Sequence, residues 1–135
     1  NIMREMTESR NKNQPVKIHA KLDKQGNVEY VGQRHWLHAR NAANATLFLF
    51  NHGEAGEHYN VVGDVELYND DMVQRLAELM GKKPRLQYVD LEKSRPGHDR
   101  RYSLDGSKLR NMGWQQPISF DESLTKTIDW MLSGG

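Results

Sequence analysis

The sequence of 135 residues contains no cysteine, only four prolines and no long apolar run. Without cysteine, the chain can form neither a disulfide nor a thiolate zinc site, and it has no cysteine nucleophile. Its longest apolar stretch lies around residues 47–50, far short of the ~20 residues that cross a bilayer. We therefore expect no membrane partner. The absence of thiols fits a reducing compartment, so a cytoplasmic location is expected.

The chain also lacks an excess of charge of either sign. Nineteen Lys and Arg residues face eighteen Asp and Glu residues, which leaves a formal charge of +1. A balanced chain has no overall field that attracts nucleic acid, so any anion site must be local. Three Trp, five Tyr and three Phe are too many aromatic residues for a disordered chain, and the length suits one domain. We expect a single folded domain over residues 1–135.

Hydrophobic spacing predicts strands that alternate with helices, and hence an α/β fold. The predicted strands are a hairpin over residues 16–31, an extended segment around Trp36, and shorter strands at 58–62 and 86–89. The predicted helices lie at residues 2–6, 39–50, 70–80, 107–112 and 120–131. The 39–50 helix should be mostly buried. Ser119 and Glu122 form a capping box for the last helix. The strong strands are too few for a complete doubly wound sheet.

The densest group of reactive side chains is the stretch at residues 94–102, with the sequence SRPGHDRRY. Pro96 and Gly97 predict a turn there. Because a guanidinium can hold two phosphate oxygens at once, a turn that carries several arginines is a candidate pyrophosphate clamp. The alternative is a solvated charged loop in which Asp99 pairs with an arginine. Nucleic-acid binding through residues 95–101 is disfavoured, since no stacking platform is evident.

Four other polar residues have two interpretations each. Arg34 is either an anion ligand or a surface residue whose stem covers apolar neighbours. Asn69 is either a ligand contact or the cap of the helix that follows it. His35 and His38 lie three residues apart, but the segment looks extended and no third ligand is obvious. We therefore expect no metal site.

The motifs of dinucleotide enzymes are missing from the sequence. There is no G-x-G-x-x-G loop and no P-loop, and none of the five tyrosines is followed four residues later by lysine. The sequence thus encodes no recognisable cofactor site and no Tyr–Lys proton-transfer pair. We expect no catalytic residue and no bound cofactor in this chain.

Five motifs, in their family order, resemble the C-terminal part of the extended short-chain dehydrogenase/reductase family, and most closely its dTDP-glucose 4,6-dehydratases. They are RHWLH, GEHYNV, RPGHDRRY, LxxMGW and FxESLxxTIxW, which begin at Arg34, Gly56, Arg95, Leu109 and Phe120. The resemblance implies the α/β substrate-binding portion of such an enzyme, with several helices and short strands, and without the Rossmann half. In the family that half carries NAD and the Tyr–Lys pair, so the chain alone should be inactive.

The resemblance also implies a ligand, a nucleotide-diphosphate sugar. In the family's reaction, NAD takes a hydride from sugar C4, water leaves across C5–C6, and the hydride returns to C6. The matched positions around the diphosphate and the base are Arg34, Asn69, Arg95, His98, Ile18 and His19. His19 replaces the family's tyrosine, and Lys17 replaces its proline.

Two functions remain open from the sequence. In the first, the chain is a fragment or partner of a larger dehydratase-like or epimerase-like enzyme and needs a Rossmann-domain partner for turnover. In the second, it is a stand-alone nucleotide-sugar binding or interaction domain without catalytic activity.

Overall fold

The computed structural model describes residues 14–94, 96–97 and 99–134. The predicted helix at residues 2–6 lies outside the described residues. So do two of the predicted site residues, Arg95 and His98.

The described chain alternates strands and helices, which confirms the predicted α/β class. The elements in order are β1 (Val16–Leu22), β2 (Val28–Val31), β3 (Gln33–Trp36), α1 (Ala39–His52), β4 (Val65–Tyr68), α2 (Asn69–Leu79), β5 (Leu86–Asp90), α3 (Leu91–Ser94), β6 (Arg101–Tyr102), α4 (Ser107–Asn111) and α5 (Phe120–Leu132).

The first sheet has the strand order β2-β1-β5. β1 and β2 form the predicted antiparallel hairpin, and the Asp23 carboxylate closes its turn by accepting backbone N–H bonds from Gln25 and Asn27, each 2.8 Å long. This is the local side-chain bonding that makes aspartate a turn residue. β5 lies parallel to β1 on its other side and pairs Tyr88 with Ile18, which centres Ile18 in the sheet.

The second sheet has the strand order β4-β3-β6. β4 runs antiparallel to β3, whereas β6 runs parallel to it and pairs Tyr102 with Arg34. Because side chains alternate across a strand, Arg34 and Trp36 share one face of β3, and His35 lies on the other. The short parallel strand β6 follows the Pro96–Gly97 turn, so this pairing brings the end of the charged loop beside Arg34.

The main core lies between the first sheet and helices α2 and α5. Its buried residues are Val16, Ile18, Ala20, Val31, Met72, Val73, Leu76, Ala77, Leu124 and Ile128. Helix α5 begins as predicted, since the Ser119 hydroxyl accepts the backbone N–H of Glu122. Helices α2 and α5 thus form one wall of a cavity that also faces the two sheets.

The prediction of a strand at residues 58–62 is wrong. The strand of this region is β4, which begins three residues later. Residues 57–63 carry no regular structure, and their polar groups bond to the segment around α4 instead. The Asn60 amide donates to the carbonyl of Asp105, and the Lys108 ammonium donates to the carbonyl of His58. These contacts between distant segments override the β-propensity of the local sequence.

Helix α1 forms where it was predicted, but the expectation that it is mostly buried is wrong. Only Asn41 and Ala45 are buried in it, whereas Leu47 is 65% and Phe50 88% exposed. Its apolar residues surround the whole helix, and a helix packed on one side can bury only one stripe of them.

Candidate functional site

A cavity of about 840 Å³ opens between the two sheets and helices α2 and α5. Of the predicted site residues that the structure describes, all line it: Ile18, His19, Arg34 and Asn69. They come from β1, β3 and the start of α2, so the fold gathers residues as far apart in sequence as Ile18 and Asn69. The described residues of the charged loop reach the same space through Asp99 and Tyr102.

Arg34 is the most unusual charged residue in this lining. Its guanidinium carbon lies 5.3 Å from the centre of the Tyr102 ring and 5.8 Å from that of Trp36, within range of a cation–π interaction. Its Nε is buried and has no hydrogen-bond partner among the described residues. Over the same ranges of the chain, the arginine forms no ion pair, in contrast to Arg75 and Arg101, which both hold carboxylates.

The other charged residues of the lining are mostly basic. Lys17, Arg40 and Lys126 join Arg34, and within the part of the chain that the structure describes Asp99 is the one carboxylate that lines the cavity. A concave surface with one dominant charge sign concentrates ions of the opposite sign. The lining therefore favours an anionic ligand, although the whole chain is close to neutral.

The capping interpretation of Asn69 is wrong. Asn69 is the first residue of α2, the cap position belongs to Tyr68, and no side chain there caps the helix. The Asn69 backbone N–H donates to the carbonyl of Gly32 at 2.9 Å. A Cβ at Gly32 would lie 3.1 Å from the Asn69 amide nitrogen, so that amide lies against the β2–β3 connection at the cavity edge.

Ile18 and His19 occupy the β1 wall of the cavity in different ways. Ile18 is 1% exposed and belongs to the main core, so it forms part of the cavity floor. His19 is half-buried and lies on the opposite side of the strand by alternation. Their roles as base contacts stay predictions.

Two arginines of the described loop, Arg100 and Arg101, contact groups other than Asp99. Arg101 holds Glu66 through two hydrogen bonds of 2.6 and 2.7 Å, and this contact keeps the pKa of the Glu66 carboxyl below its usual range. Arg100 lies over the ring of Tyr30, 4.7 Å from its centre. Gly97 has a φ of 74°, which confirms the predicted turn.

The two histidines that lie three residues apart have separate partners. The Nδ1 of His35 lies 3.0 Å from the carbonyl of Gly63, and the Nδ1 of His38 accepts the backbone N–H of Arg40 at the start of α1. Among the described residues, no group of three His, Cys, Asp or Glu is placed to hold a metal ion. Nor does any helix within those residues have the length and apolarity to cross a membrane.

Sequence reasoning missed several residues of the cavity, chiefly on α5. Ser123, Thr127 and Trp130 line it at helical spacing, and Trp130 is 60% exposed. The signal was present as a row of polar and aromatic positions beside the apolar stripe of α5. Tyr102 was also missed, although it ends the RPGHDRRY motif.

The fold is that of the C-terminal portion of extended short-chain dehydrogenases. Over 98% of this chain, it matches the crystal structure of dTDP-glucose 4,6-dehydratase from Bacillus anthracis in complex with NAD, with a TM-score of 0.78 at 24% identity and 39% coverage of that chain. It also matches UDP-glucose 4-epimerase from Thermus thermophilus, with a TM-score of 0.72 at 22% identity, over 99% of this chain and 40% of that one.

Sequence comparison identifies the family. The family model described as GDP-mannose 4,6 dehydratase matches residues 4–127, and the chain belongs to that family. The dTDP-glucose 4,6-dehydratase of Xanthomonas campestris is 35% identical over 108 residues, which are 74% of this chain and 31% of the relative. That of Haemophilus influenzae is 36% identical over 109 residues, 73% of this chain and 32% of the relative. The chain thus spans about a third of the length of these relatives.

Proposed function

We propose that this chain is the substrate-binding portion of a nucleotide-sugar dehydratase or epimerase and that it recognises the diphosphate of its ligand. The observation that carries the proposal is Arg34, a half-buried guanidinium backed by two aromatic rings and without a carboxylate partner among the described residues. A cation removed from water needs a counter-charge, and here a ligand anion would supply it.

A diphosphate suits the geometry of this lining. Its oxygens match the planar fork of a guanidinium, and each charge-assisted hydrogen bond contributes roughly 1.5–3 kcal/mol once water is excluded. Asn69 lies at the cavity edge against Gly32, two residues before Arg34, and its amide can donate to the same group. Arg95 and His98 enter the proposal through their sequence motif, and β6, which follows that motif, pairs with β3 beside Arg34. Ile18 and His19 are the residues that we propose to lie beside the nucleotide base.

We do not assign hydride transfer to this chain. The sequence has neither the glycine-rich loop nor the Tyr–Lys pair that would fit NAD, so the residues present do not form its site. A Rossmann half, on the same or on a second polypeptide, would supply NAD. This chain would bind and orient the sugar nucleotide against it. A cytoplasmic location belongs to the same proposal.

The second candidate is a stand-alone nucleotide-sugar binding domain without catalysis. It uses the same cavity and the same ligand, so binding alone does not separate the two candidates. Turnover that appears only when the chain is mixed with a Rossmann-domain chain selects the enzyme portion. Binding without turnover under those conditions selects the stand-alone domain.

Calorimetric titration with a panel of ligands tests the shared claim. dTDP-glucose, UDP-glucose and GDP-mannose are compared with free glucose, inorganic pyrophosphate and a single-stranded oligonucleotide. We expect binding of at least one nucleotide sugar and of pyrophosphate, weakened by salt, and none of free glucose. A ligand that binds the folded chain also raises Tm, and the rise grows with the logarithm of the ligand concentration above Kd. Binding of the oligonucleotide but of no nucleotide sugar would make the proposal wrong.

A further inference from the structure

On the face of the second sheet away from the cavity, an ion pair joins its two outer strands. Glu66 lies on β4, and Arg101, on β6, grips both of its carboxylate oxygens, with bonds of 2.6 and 2.7 Å. β3 lies between these strands, so the arginine side chain crosses it. A bidentate pair of this kind fixes orientation as well as distance.

Strand β6 is a short strand that pairs with β3 through two residues. It is two residues long, both of them exposed, and its neighbour Arg100 accepts a backbone hydrogen bond of 3.2 Å from Gln33. Segments with so few backbone bonds open at low free energy. β4 is the firmer end of the pair, because α2 follows it directly and inserts Met72 and Val73 into the core.

The two residues of β6 point to opposite faces of the sheet. Arg101 reaches Glu66 on the outer face, while Tyr102 lies on the cavity face with its ring 5.3 Å from the Arg34 guanidinium. The position of the Tyr102 ring therefore depends on how firmly Arg101 holds the strand. His35 adds a third contact on the outer face, with its Nε2 3.6 Å from the Glu66 carboxylate, which is 17% exposed.

We propose that Glu66 is a positioning residue for the cavity: through Arg101 it holds β6 in register, so that Tyr102 covers Arg34 and orients its guanidinium toward the ligand phosphate. The inference rests on the proposed function of Arg34. Glu66 itself touches no ligand, since it lies behind the sheet. Glu66 acts on the cavity through β6, because the two side chains of that strand, Arg101 and Tyr102, lie on opposite faces of the sheet.

A measurement without ligand tests the positioning step. The N–H of the Arg34 Nε should give a protected NMR resonance shifted by the Tyr102 ring current. We expect Glu66→Gln and Tyr102→Leu to abolish that shift. The matched control is Asp121→Asn, which breaks a bidentate pair elsewhere on the surface, between Asp121 and Arg75. An unchanged Arg34 resonance in Glu66→Gln would overturn the proposal, as would an equal change in the control.

A second measurement links Glu66 to binding. We expect Glu66→Gln to weaken dTDP-glucose binding about fivefold. In a Tyr102→Leu chain, the same substitution should have almost no further effect, because the two residues act in series. The charge-exchanged double variant Glu66→Arg, Arg101→Glu should restore most of the affinity. A fivefold loss that adds fully to that of Tyr102→Leu would show a merely structural role and would contradict the proposal.

The two arms also separate this inference from the proposed function. If the unmodified chain binds no nucleotide sugar and no pyrophosphate, the proposed function is wrong, and the NMR arm alone decides whether Glu66 positions Arg34. If the unmodified chain binds but Glu66→Gln binds equally well, the positioning inference is wrong and the proposed function stands.

Discussion

Replacement of Arg34 by methionine separates binding from stability in this chain. The substitution removes the guanidinium and retains an unbranched apolar side chain that can still lie between Trp36 and Tyr102. If Arg34 serves a ligand, the affinity for nucleotide sugars should fall steeply while the folded chain loses little. If Arg34 serves the fold, the reverse should hold.

The magnitudes follow from the contacts of Arg34. A phosphate held by two charge-assisted bonds of ~1.5 kcal/mol each makes the loss ~3 kcal/mol, a decrease in affinity of about 150-fold. Loss of two cation–π contacts costs ~0.5–1 kcal/mol each, whereas removal of the buried, unpaired Nε recovers ~1–3 kcal/mol. These terms nearly cancel, so Tm should change by less than about 4 °C.

Calorimetric titration with dTDP-glucose and a thermal melt without ligand measure the two effects. Arg75→Met is the matched control: Arg75 holds Asp121 and Glu78 on the surface, so its loss should lower Tm slightly and leave affinity unchanged. Arg34→Lys should keep part of the affinity, since lysine retains the charge but not the fork. An Arg34→Met chain that binds within twofold of the original, or melts more than about 8 °C lower, would refute the reasoning.

Three further predictions concern stability. Trp36→Ala should lower the free energy of unfolding by ~3 kcal/mol in denaturant titration, because the ring packs against the main core, and a cost under ~1 kcal/mol would contradict this. Ion pairing lowers the pKa of Glu66 and Asp121 in the folded chain, so the stability they contribute is present above about pH 4.5 and is lost as pH falls through the folded-state pKa. Tm measured from about pH 7 down to about pH 2.5 should therefore drop only at the acid end, and in a Glu66→Gln, Asp121→Asn chain that drop should be smaller. Gly63→Ala should unfold the β3–β4 region or shift its backbone, because the added Cβ would lie 2.0 Å from the carbonyl oxygen of Trp36. The control is Gly32→Ala, whose Cβ would lie 3.1 Å from the Asn69 side chain and meet no other atom within 4 Å among the described residues. A thermal melt should show a smaller loss of Tm for Gly32→Ala than for Gly63→Ala.

Local signals in the sequence were enough for most of the elements. The turn of the β1–β2 hairpin depends on Asp23 and its neighbours, and the start of α5 depends on Ser119 and Glu122. Each is closed by contacts within four residues, which a sequence displays directly. The 58–62 segment was misjudged because its polar groups bond to residues some fifty positions later. A short apolar run carries no information about such partners.

The candidate site likewise depends both on local sequence signals and on contacts between distant segments. The sequence predicted Arg34 and Asn69 as ligand contacts from their resemblance to family positions, and both line the cavity. Whether Arg34 had a carboxylate partner could not be read from the sequence, because eighteen acidic residues were available to it. Over the described residues, the tertiary structure gives the answer. The parallel pairing of β6 with β3 places Tyr102 over Arg34, Arg101 pairs with Glu66, thirty-five residues away, and Arg34 has no carboxylate partner there. Local chemistry specifies which groups a chain carries. Only the packing of distant segments determines which of those groups keep their charge unpaired.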